Sequence, residues 1–253
     1  MPMPRSSCWW RSLPPLALLL GGALGGLVQP VALLCGVLFV AWIAARPCVA
    51  PRAWLPVTLV MAVLFAAHLV PGFVALPLGP PQHLGGSQPW QLRLALEKAL
   101  VALALLLAWW GTPVGPWRVR PLLATVGLTL GGVPGLALAL GVLGWQPKWP
   151  EGLLAWLAIN LLVTCLAEEL VFRAFLQRRL SERLGMPTGL LLTSLLFGLA
   201  HLPAGAGFAL LAGLAGVGYG LAFHCSGNRL WPALLLHGAL NTLHLLLLTY
   251  PLR

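Results

Sequence analysis

The stretch Asn160-Leu-Leu-Val-Thr-Cys-Leu-Ala-Glu-Glu-Leu-Val-Phe-Arg173 puts two adjacent carboxylates and a guanidinium inside a hydrophobic run. The chain has five acidic residues and no aspartate, so two of its five carboxylates, Glu168 and Glu169, stand side by side here. A carboxylate near the middle of a membrane costs roughly 2.5–3.5 kcal/mol on insertion scales. Ionisable residues kept in such surroundings are functional candidates, so the search for a site begins with this stretch.

The composition of the 253 residues is that of a membrane protein, because 59% are hydrophobic and 8% charged, whereas a soluble domain carries about 25% charged residues. A span needs about 20 apolar residues. Nine apolar runs reach or approach this length, and they cover residues 13–29, 31–45, 54–78, 92–110, 121–144, 152–177, 187–202, 205–224 and 230–249. Two of the runs are short. The sequence therefore predicts an all-α, polytopic transmembrane bundle of eight or nine spans.

The basic residues indicate the orientation of the chain. The net charge is +10, but the arginines stand singly or in small groups between apolar runs, which argues against a nucleic-acid partner. Cytoplasmic loops are enriched in arginine and lysine. With a cytoplasmic N-terminus, the inner segments would hold Arg5, Arg11, Arg46, Arg52, Arg118, Arg120, Arg178, Arg179, Arg183 and Arg229. Together with the arginine-, leucine- and glycine-rich composition, this predicts an integral protein of a bacterial inner membrane, in contact with the lipid bilayer.

The carboxylate stretch is predicted to be helical. Residues four apart share a helix face, so Asn160, Thr164 and Glu168 would form one stripe. Glu169 would face Arg173 on another side of the helix, and would have a neutralising partner that Glu168 lacks. Because carboxylates in different environments divide acid and base roles, Glu168 is predicted to act on a water. A purely structural ion pair of Glu169 with Arg173 is the alternative for that pair.

Two later runs carry histidines. One ends in Ser194-Leu-Leu-Phe-Gly-Leu-Ala-His201, where Gly198 is predicted to leave room beside the imidazole. The last reads His237-Gly-Ala-Leu-Asn-Thr-Leu-His244, which places three polar side chains on one face. One such histidine alone is more often a packing residue. Two histidine helices with an asparagine and a glutamate predict a functional site, which the helix lengths would put in the inner half of the membrane.

The run between the two histidine helices is rich in small residues. Ala212, Gly216 and Gly220 are spaced four apart, and such rows let helix backbones approach closely. Tight packing is the favoured interpretation. Lining of a substrate groove is the functional alternative.

Three motifs follow one another on the late spans: Glu-Glu-x-x-x-Arg at 168–173, Phe-x-x-x-His at 197–201 and His-x-x-x-Asn at 237–241. In this order and spacing they resemble the CAAX-processing and bacteriocin-processing (CPBP, Abi-like) family of intramembrane proteases. That family includes the endopeptidase that removes the last three residues of prenylated proteins. Residues 151–253 are accordingly predicted to be the catalytic core, and residues 1–150 to supply helices of unassigned role.

The resemblance implies a catalytic set, namely Glu168, Glu169, Arg173, His201, His237 and Asn241. Within it, Glu168 would activate the attacking water, with Glu169 and Arg173 as its companions. The two histidines would complete the site and Asn241 would stabilise the oxyanion, a role that suits a buried amide donor. His244 lies outside the family pattern and receives no role.

Two mechanisms stay open from the sequence. The family is described both as metalloprotease and as glutamic peptidase. Glu168, His201 and His237 are an adequate ligand set for Zn²⁺ with an open position for water. The His-Glu-x-x-His spacing of the zincins is absent, which favours glutamate-activated water with no cofactor.

The predicted activity is that of an intramembrane endopeptidase, whose partner is a membrane-associated peptide or protein substrate. An aspartyl protease is excluded because the chain has no aspartate. A non-catalytic membrane scaffold or chaperone of the same fold is the main alternative. A proton-coupled transporter is a weaker one, since intramembrane glutamate and histidine also mark proton relays.

Overall fold

The computed structural model describes residues 9–84 and 89–250. Within these residues, nine long helices follow the nine predicted apolar runs in order. They are α1 (Leu13–Leu24), α2 (Pro30–Ala44), α3 (Pro51–Ala66), α4 (Leu96–Trp109), α5 (Val119–Ala139), α6 (Leu153–Leu184), α7 (Met186–Ala200), α8 (Ala206–Cys225) and α9 (Leu230–Leu247). The predicted helical class is therefore confirmed.

Four of the described helices, α5, α6, α8 and α9, are long and apolar enough to cross a membrane. Three others, α2, α3 and α7, are apolar but shorter, with 15, 16 and 15 residues. These helices support an integral membrane protein. The number of eight or nine spans stays a prediction, as does the boundary between an N-terminal region and a catalytic core at residue 150.

The largest boundary error concerns the apolar run at 54–78. Its helix, α3, ends at Ala66, because His68 and Gly72 both have positive φ angles, of 60° and 93°, which no α-helix contains. The chain then enters strand β1 (Leu76–Pro77), which pairs antiparallel with β2 (Arg93–Leu94). This two-residue ribbon was not expected from the hydrophobic pattern.

Helix α6 departs from a regular α-helix in the carboxylate stretch. Residues Asn160–Cys165 and Leu170–Gln177 are π-helical, with the α-helical turn Leu166–Glu169 between them. A π-helix has wider turns that close i→i+5 hydrogen bonds. The assumption of α-helical spacing from Asn160 to Arg173 is therefore wrong. π-helical turns inside α-helices are frequent at functional sites.

The described residues up to Leu78, Arg93–Thr112 and Leu162–Val171 form one compact unit. Its central element is α4, against which α1, α2, α3 and the turn Leu166–Glu169 of α6 pack. Its core contains the fully buried side chains of Leu19, Phe39, Leu100 and Leu105. Two arginines, Arg11 and Arg46, bind backbone carbonyls at the C-terminal end of α4.

Arg11 and Arg46 donate to the carbonyls of Leu107 at 3.1 Å and Ala108 at 2.7 Å. Cations at a helix C-terminus satisfy free carbonyls and interact favourably with the helix dipole. The two arginines are thus at the same end of their unit. This grouping agrees with their prediction on one side of the membrane.

The second compact unit comprises the described residues of Gly79–Leu92, Pro113–Leu161 and the chain from Phe172 onward. Helix α8 is its centre and packs against α5, α7 and α9, while the last turns of α6 pack on α7. At one end, Arg229 donates to the carbonyl of Gly115 at 2.6 Å, and the Arg118 amide donates to the carbonyl of Cys225. Arg118 and Arg229 therefore also share one end of their unit.

The small residues of α8 allow close helix packing. A Cβ atom on Gly220 would lie 2.4 Å from a methyl group of Leu190 and 2.5 Å from the side-chain oxygen of Gln177. A Cβ on Gly216 would lie 3.4 Å from the ring of Phe197. The packing interpretation of this row is confirmed for both glycines.

Gly198 of α7 lies at a contact between two helices, which differs from its predicted position beside the His201 imidazole. A Cβ atom at this position would lie 2.7 Å from the carbonyl oxygen of Ala209 and 3.1 Å from the Cα of Gly213, both on α8. The glycine therefore lets the backbones of α7 and α8 approach. The prediction that it leaves space beside His201 is wrong, because the neighbouring helix occupies that space.

Candidate active site

The second unit contains a cavity of about 70 Å³ between α5, α7, α8 and α9. Its polar wall consists of His201, His237, Asn241 and His244. A water molecule takes up about 30 Å³ in the liquid, so the cavity is large enough to hold water beside these side chains. Three of the six predicted catalytic residues therefore line one cavity.

The apolar wall of the cavity comes from all four helices and from the chain after α9. It includes Phe197 of α7, Ala212 and Tyr219 of α8, and Leu248. Ala212 belongs to the predicted row of small residues, so this row supplies part of the cavity wall as well as helix contacts. That this part of the row lines a groove for substrate stays a prediction.

His201 follows the last residue of α7, and its position is set by the helix end. Its Nδ1 lies 2.8 Å from the carbonyl oxygen of Phe197. A carbonyl can only accept, so Nδ1 donates its hydrogen, and the neutral ring keeps a free lone pair on Nε2. The ring also packs on Phe197 with the centroids 4.7 Å apart. In this tautomer, Nε2 of His201 is the hydrogen-bond acceptor of the ring.

His237 is held between two aromatic rings. It is 4% exposed. Its ring stacks on Tyr219 with centroids 4.4 Å apart and an interplanar angle of 14°, and it meets Phe197 nearly at right angles at 5.8 Å. Stacked and edge-on aromatic contacts restrict the ring orientation. Phe197 thus contacts both site histidines.

Asn241 is oriented by a residue of α6. Its Nδ2 donates to the Oδ1 of Asn160 at 3.1 Å, and Asn160 is 8% exposed. The sequence placed Asn160 on a stripe with Glu168, and its role toward Asn241 was missed. The available signal was its polarity within an apolar run, but no motif spacing connects it to a residue 81 positions away.

Arg173 is fully buried among aromatic rings. Its guanidinium carbon lies 5.0 Å from the ring centre of Phe197, 5.7 Å from that of Tyr219 and 5.9 Å from that of Phe172. Cation–π contacts of this kind stabilise by about 2 kcal/mol or more when desolvated. Arg173 therefore holds the two rings that pack on His201 and His237. Its predicted ion pair with Glu169 stays a prediction.

The two adjacent carboxylates belong to the first unit, where α4 packs against their turn. Glu169 is fully buried, and the side chain of Glu168 is 17% exposed. The Nζ of Lys98 on α4 lies 3.7 Å from a carboxylate oxygen of Glu168. The expectation that Glu168 lacks a neutralising partner is therefore wrong, because α4 provides one that its own helix does not.

A second ion pair is formed by the residue before Lys98. Glu97 is 4% exposed, and one of its carboxylate oxygens lies 2.5 Å from the Nδ1 of His68. Neither residue was a candidate from the sequence. Four titratable side chains of the first unit are thus joined in two ion pairs that start from adjacent positions on α4.

The histidines, cysteines and glutamates do not form a metal site in the part of the chain that the structure describes. Among residues 9–84 and 89–250, no group of three or more of them is arranged to hold a metal ion. Three histidines, His201, His237 and His244, line the cavity of the second unit. The zinc alternative, with Glu168, His201 and His237 as ligands, stays a prediction.

Comparison with known proteins identifies the C-terminal part of the chain. Residues 150–243 match the family described as Rce1-like, type II CAAX prenyl endopeptidase. Neither the curated proteins nor the solved structures contain a match to the chain. The matched segment contains the three sequence motifs. The predicted resemblance is thus confirmed for this segment, since residues 150–243 are similar to the Rce1-like type II CAAX prenyl endopeptidases.

Proposed function

We propose that the protein is an intramembrane endopeptidase that hydrolyses a peptide bond of a membrane-associated protein or peptide. The observation that carries this proposal is the cavity in which His201, His237 and Asn241 meet, on a segment similar to CAAX prenyl endopeptidases. The cavity has space for a water molecule beside the two imidazoles and the amide of these residues. Such groups are suited to peptide-bond hydrolysis, in which the acyl group is transferred to water.

In the proposed reaction, Glu168 takes a proton from a water molecule, and the water oxygen forms a bond to the carbonyl carbon of the substrate. The amide of Asn241 donates to the oxygen that becomes negative. The carbon–nitrogen bond then breaks, and the leaving nitrogen takes up the proton that Glu168 removed from the water. General acid–base catalysis of this type contributes typically about 10²–10⁴-fold to the rate.

His201 is suited to accept a hydrogen bond from the water or the substrate at Nε2, because its Nδ1 donates to the carbonyl of Phe197. His237 is fixed by Tyr219 and Phe197, which suits a residue that orients the substrate or the water. Arg173 supports both through the same rings, and Glu169 accompanies Glu168 in the family motif.

The test is cleavage of a prenylated and an unprenylated C-terminal peptide by the purified protein, together with a comparison of membrane proteomes. Glu168→Ala and His201→Ala are expected to lower cleavage by about 10²–10⁴-fold and to cause uncut substrate to accumulate in membranes. His224→Ala, a histidine that does not line the cavity, is the matched control and is expected to cleave normally. Full cleavage by the first two variants at normal protein levels would support the scaffold alternative.

The two mechanisms differ in their response to metal removal. If glutamate activates the water without a metal, the protein is expected to keep its full cleavage activity after dialysis against a strong chelator. A loss of activity that returns when Zn²⁺ is added would instead support the zinc alternative. Metal analysis of the untreated protein completes the comparison.

A further inference from the structure

The loop between α5 and α6 pairs with the chain that leaves α9. The Gln146 amide donates to the Leu247 carbonyl at 2.8 Å, and the Thr249 amide donates to the Gly144 carbonyl at 2.9 Å. Two short segments therefore run antiparallel at this end of the second unit. Leu248, which belongs to one of these segments, lines the cavity, so the paired segments lie beside it.

Lys148 lies in this loop, beside Leu248 of the cavity wall and an open groove. Its Nζ donates to the carbonyl of Gln146 at 3.1 Å and to the carbonyl of Leu248. On its other side, Lys148 lines a groove of about 590 Å³ formed by residues 80–84 and 146–151. Ligand pockets typically measure about 300–1,000 Å³. The ammonium group thus contacts the backbone of Leu248, a residue of the cavity wall, and borders the open groove.

The charge of Lys148 has no counter-ion in the described part of the chain. Both acceptors of its Nζ are neutral backbone carbonyls, and Glu151, which lines the same groove, forms no ion pair with it. Burial lowers the pKa of Lys148, which reflects the cost of keeping this ammonium charged away from water. A partly buried cation is stabilised by an anionic ligand. One of its three N–H donors is left for such a ligand.

The distance from the histidines to Lys148 indicates how many substrate residues could lie between them. His237 and His244 are two turns apart on α9, which is about 10 Å at 1.5 Å per residue. Both histidines line the cavity, and His244 and Lys148 contact adjacent residues after α9: Nε2 of His244 lies 3.0 Å from the Thr249 carbonyl oxygen, and Lys148 donates to the Leu248 carbonyl. An extended peptide advances about 3.3 Å per residue. About three residues of an extended peptide would therefore reach from His237 to the level of His244 and Lys148.

We propose that Lys148 is a specificity residue whose ammonium group binds a carboxylate of the substrate in the groove, about three residues beyond the bond that is cut. The carboxylate is either that of the substrate C-terminus or that of an acidic side chain. This inference rests on the proposed function, because it presumes a peptide in the cavity. Charge-assisted hydrogen bonds of this kind are about twice as strong as neutral ones.

The experiment measures binding and cleavage separately, with the full-length protein in lipid nanodiscs. The probes are fluorescent farnesylated peptides whose cysteine is fourth from the end, with either a free C-terminal carboxylate or a C-terminal amide. A second pair carries glutamate or glutamine at the last position and ends in an amide. The first pair tests the C-terminal carboxylate, and the second tests an acidic side chain.

The wild type is expected to bind the acid form of one pair roughly tenfold more tightly than its neutral form. Lys148→Met is expected to remove this preference, Lys148→Arg to keep it, and Lys148→Glu to reverse it. Arg183→Met removes an exposed charge that lines neither the cavity nor the groove and serves as the control. The pair that shows the preference identifies the source of the carboxylate.

Equal binding of acid and neutral forms by the wild type would overturn the inference, and so would an unchanged preference in Lys148→Met. The reversal in Lys148→Glu keeps the test valid if Lys148→Met folds poorly. Preferential binding without cleavage of any peptide would support the carboxylate site and contradict the proposed protease activity. Cleavage without any preference for the acid form would support the proposed protease activity and contradict the carboxylate site.

Discussion

The hydrogen bond from Asn241 to Asn160 connects the proposed oxyanion donor to a buried residue of α6. An amide group is symmetric enough to rotate between two orientations, and its partner decides which end faces the substrate. Asn160 is therefore a positioning residue for Asn241. Its effect on catalysis would be expressed in the transition state, where the oxyanion exists, and not in substrate binding.

Asn160→Leu is expected to lower kcat about tenfold with little change in KM, because Asn241 loses the acceptor that orients it. Asn160→Asp keeps an acceptor oxygen at the same position and is expected to restore most of kcat. Steady-state kinetics with a cleaved peptide distinguishes the two. An increase in KM at unchanged kcat would show that Asn160 acts on substrate binding instead.

Helix contacts determine the positions of the proposed catalytic side chains, and α7 is the clearest case. His201 follows the end of α7, and its helix packs on α8 through Gly198, whose Cβ would lie 2.7 Å from the carbonyl oxygen of Ala209. The contact is with backbone atoms, which cannot move away as the end of a flexible side chain can. The close approach of the two helices therefore requires glycine, which has no side chain, at position 198.

Gly198→Ala is expected to destabilise the protein by about 1–3 kcal/mol, because the added methyl group forces α7 and α8 apart. Gly131→Ala is the matched control on α5, since nothing lies within 4 Å of the Cβ that it would add. Thermal unfolding of both variants in the same detergent provides the measurement. Equal unfolding temperatures for Gly198→Ala and the wild type would show that the helices adjust without cost.

At the scale of the whole molecule, the position of the cavity conflicts with the predicted site depth. In the second unit, Arg118 and Arg229 lie at one end, while Leu248 of the cavity wall and the loop with Lys148 lie at the other end of α5. The 21 residues of α5 separate the two ends by about 32 Å. With arginines on the cytoplasmic side, the cavity lies in the outer half of the membrane. The expected site in the inner half is incompatible with that orientation.

We expect the positive-inside orientation to hold, because the arginine distribution acts on every loop while the depth estimate depended on predicted helix ends. In a variant without native cysteines, Lys148→Cys is expected to react with a membrane-impermeant maleimide on intact cells. Arg118→Cys is expected to react only after lysis. Reaction of Arg118→Cys on intact cells with protection of Lys148→Cys would reverse the orientation and return the cavity to the cytoplasmic side.

The sequence by itself determined the helical class, the order of the nine helices and the family of residues 150–243. These features follow from local information: apolar length, arginine placement and three motifs whose spacing lies within single helices. For the same reason, His201, His237 and Asn241 could be chosen as candidates before their common cavity was known.

Only the tertiary structure decided which side chains meet. Lys98 pairs with Glu168, Asn160 orients Asn241, and Lys148 contacts the cavity wall and borders the groove. Each of these relations joins residues far apart in the chain, and it depends on helix packing and on the π-helical turns of α6. Hydrophobic periodicity describes one helix at a time, so it has no information about contacts between helices.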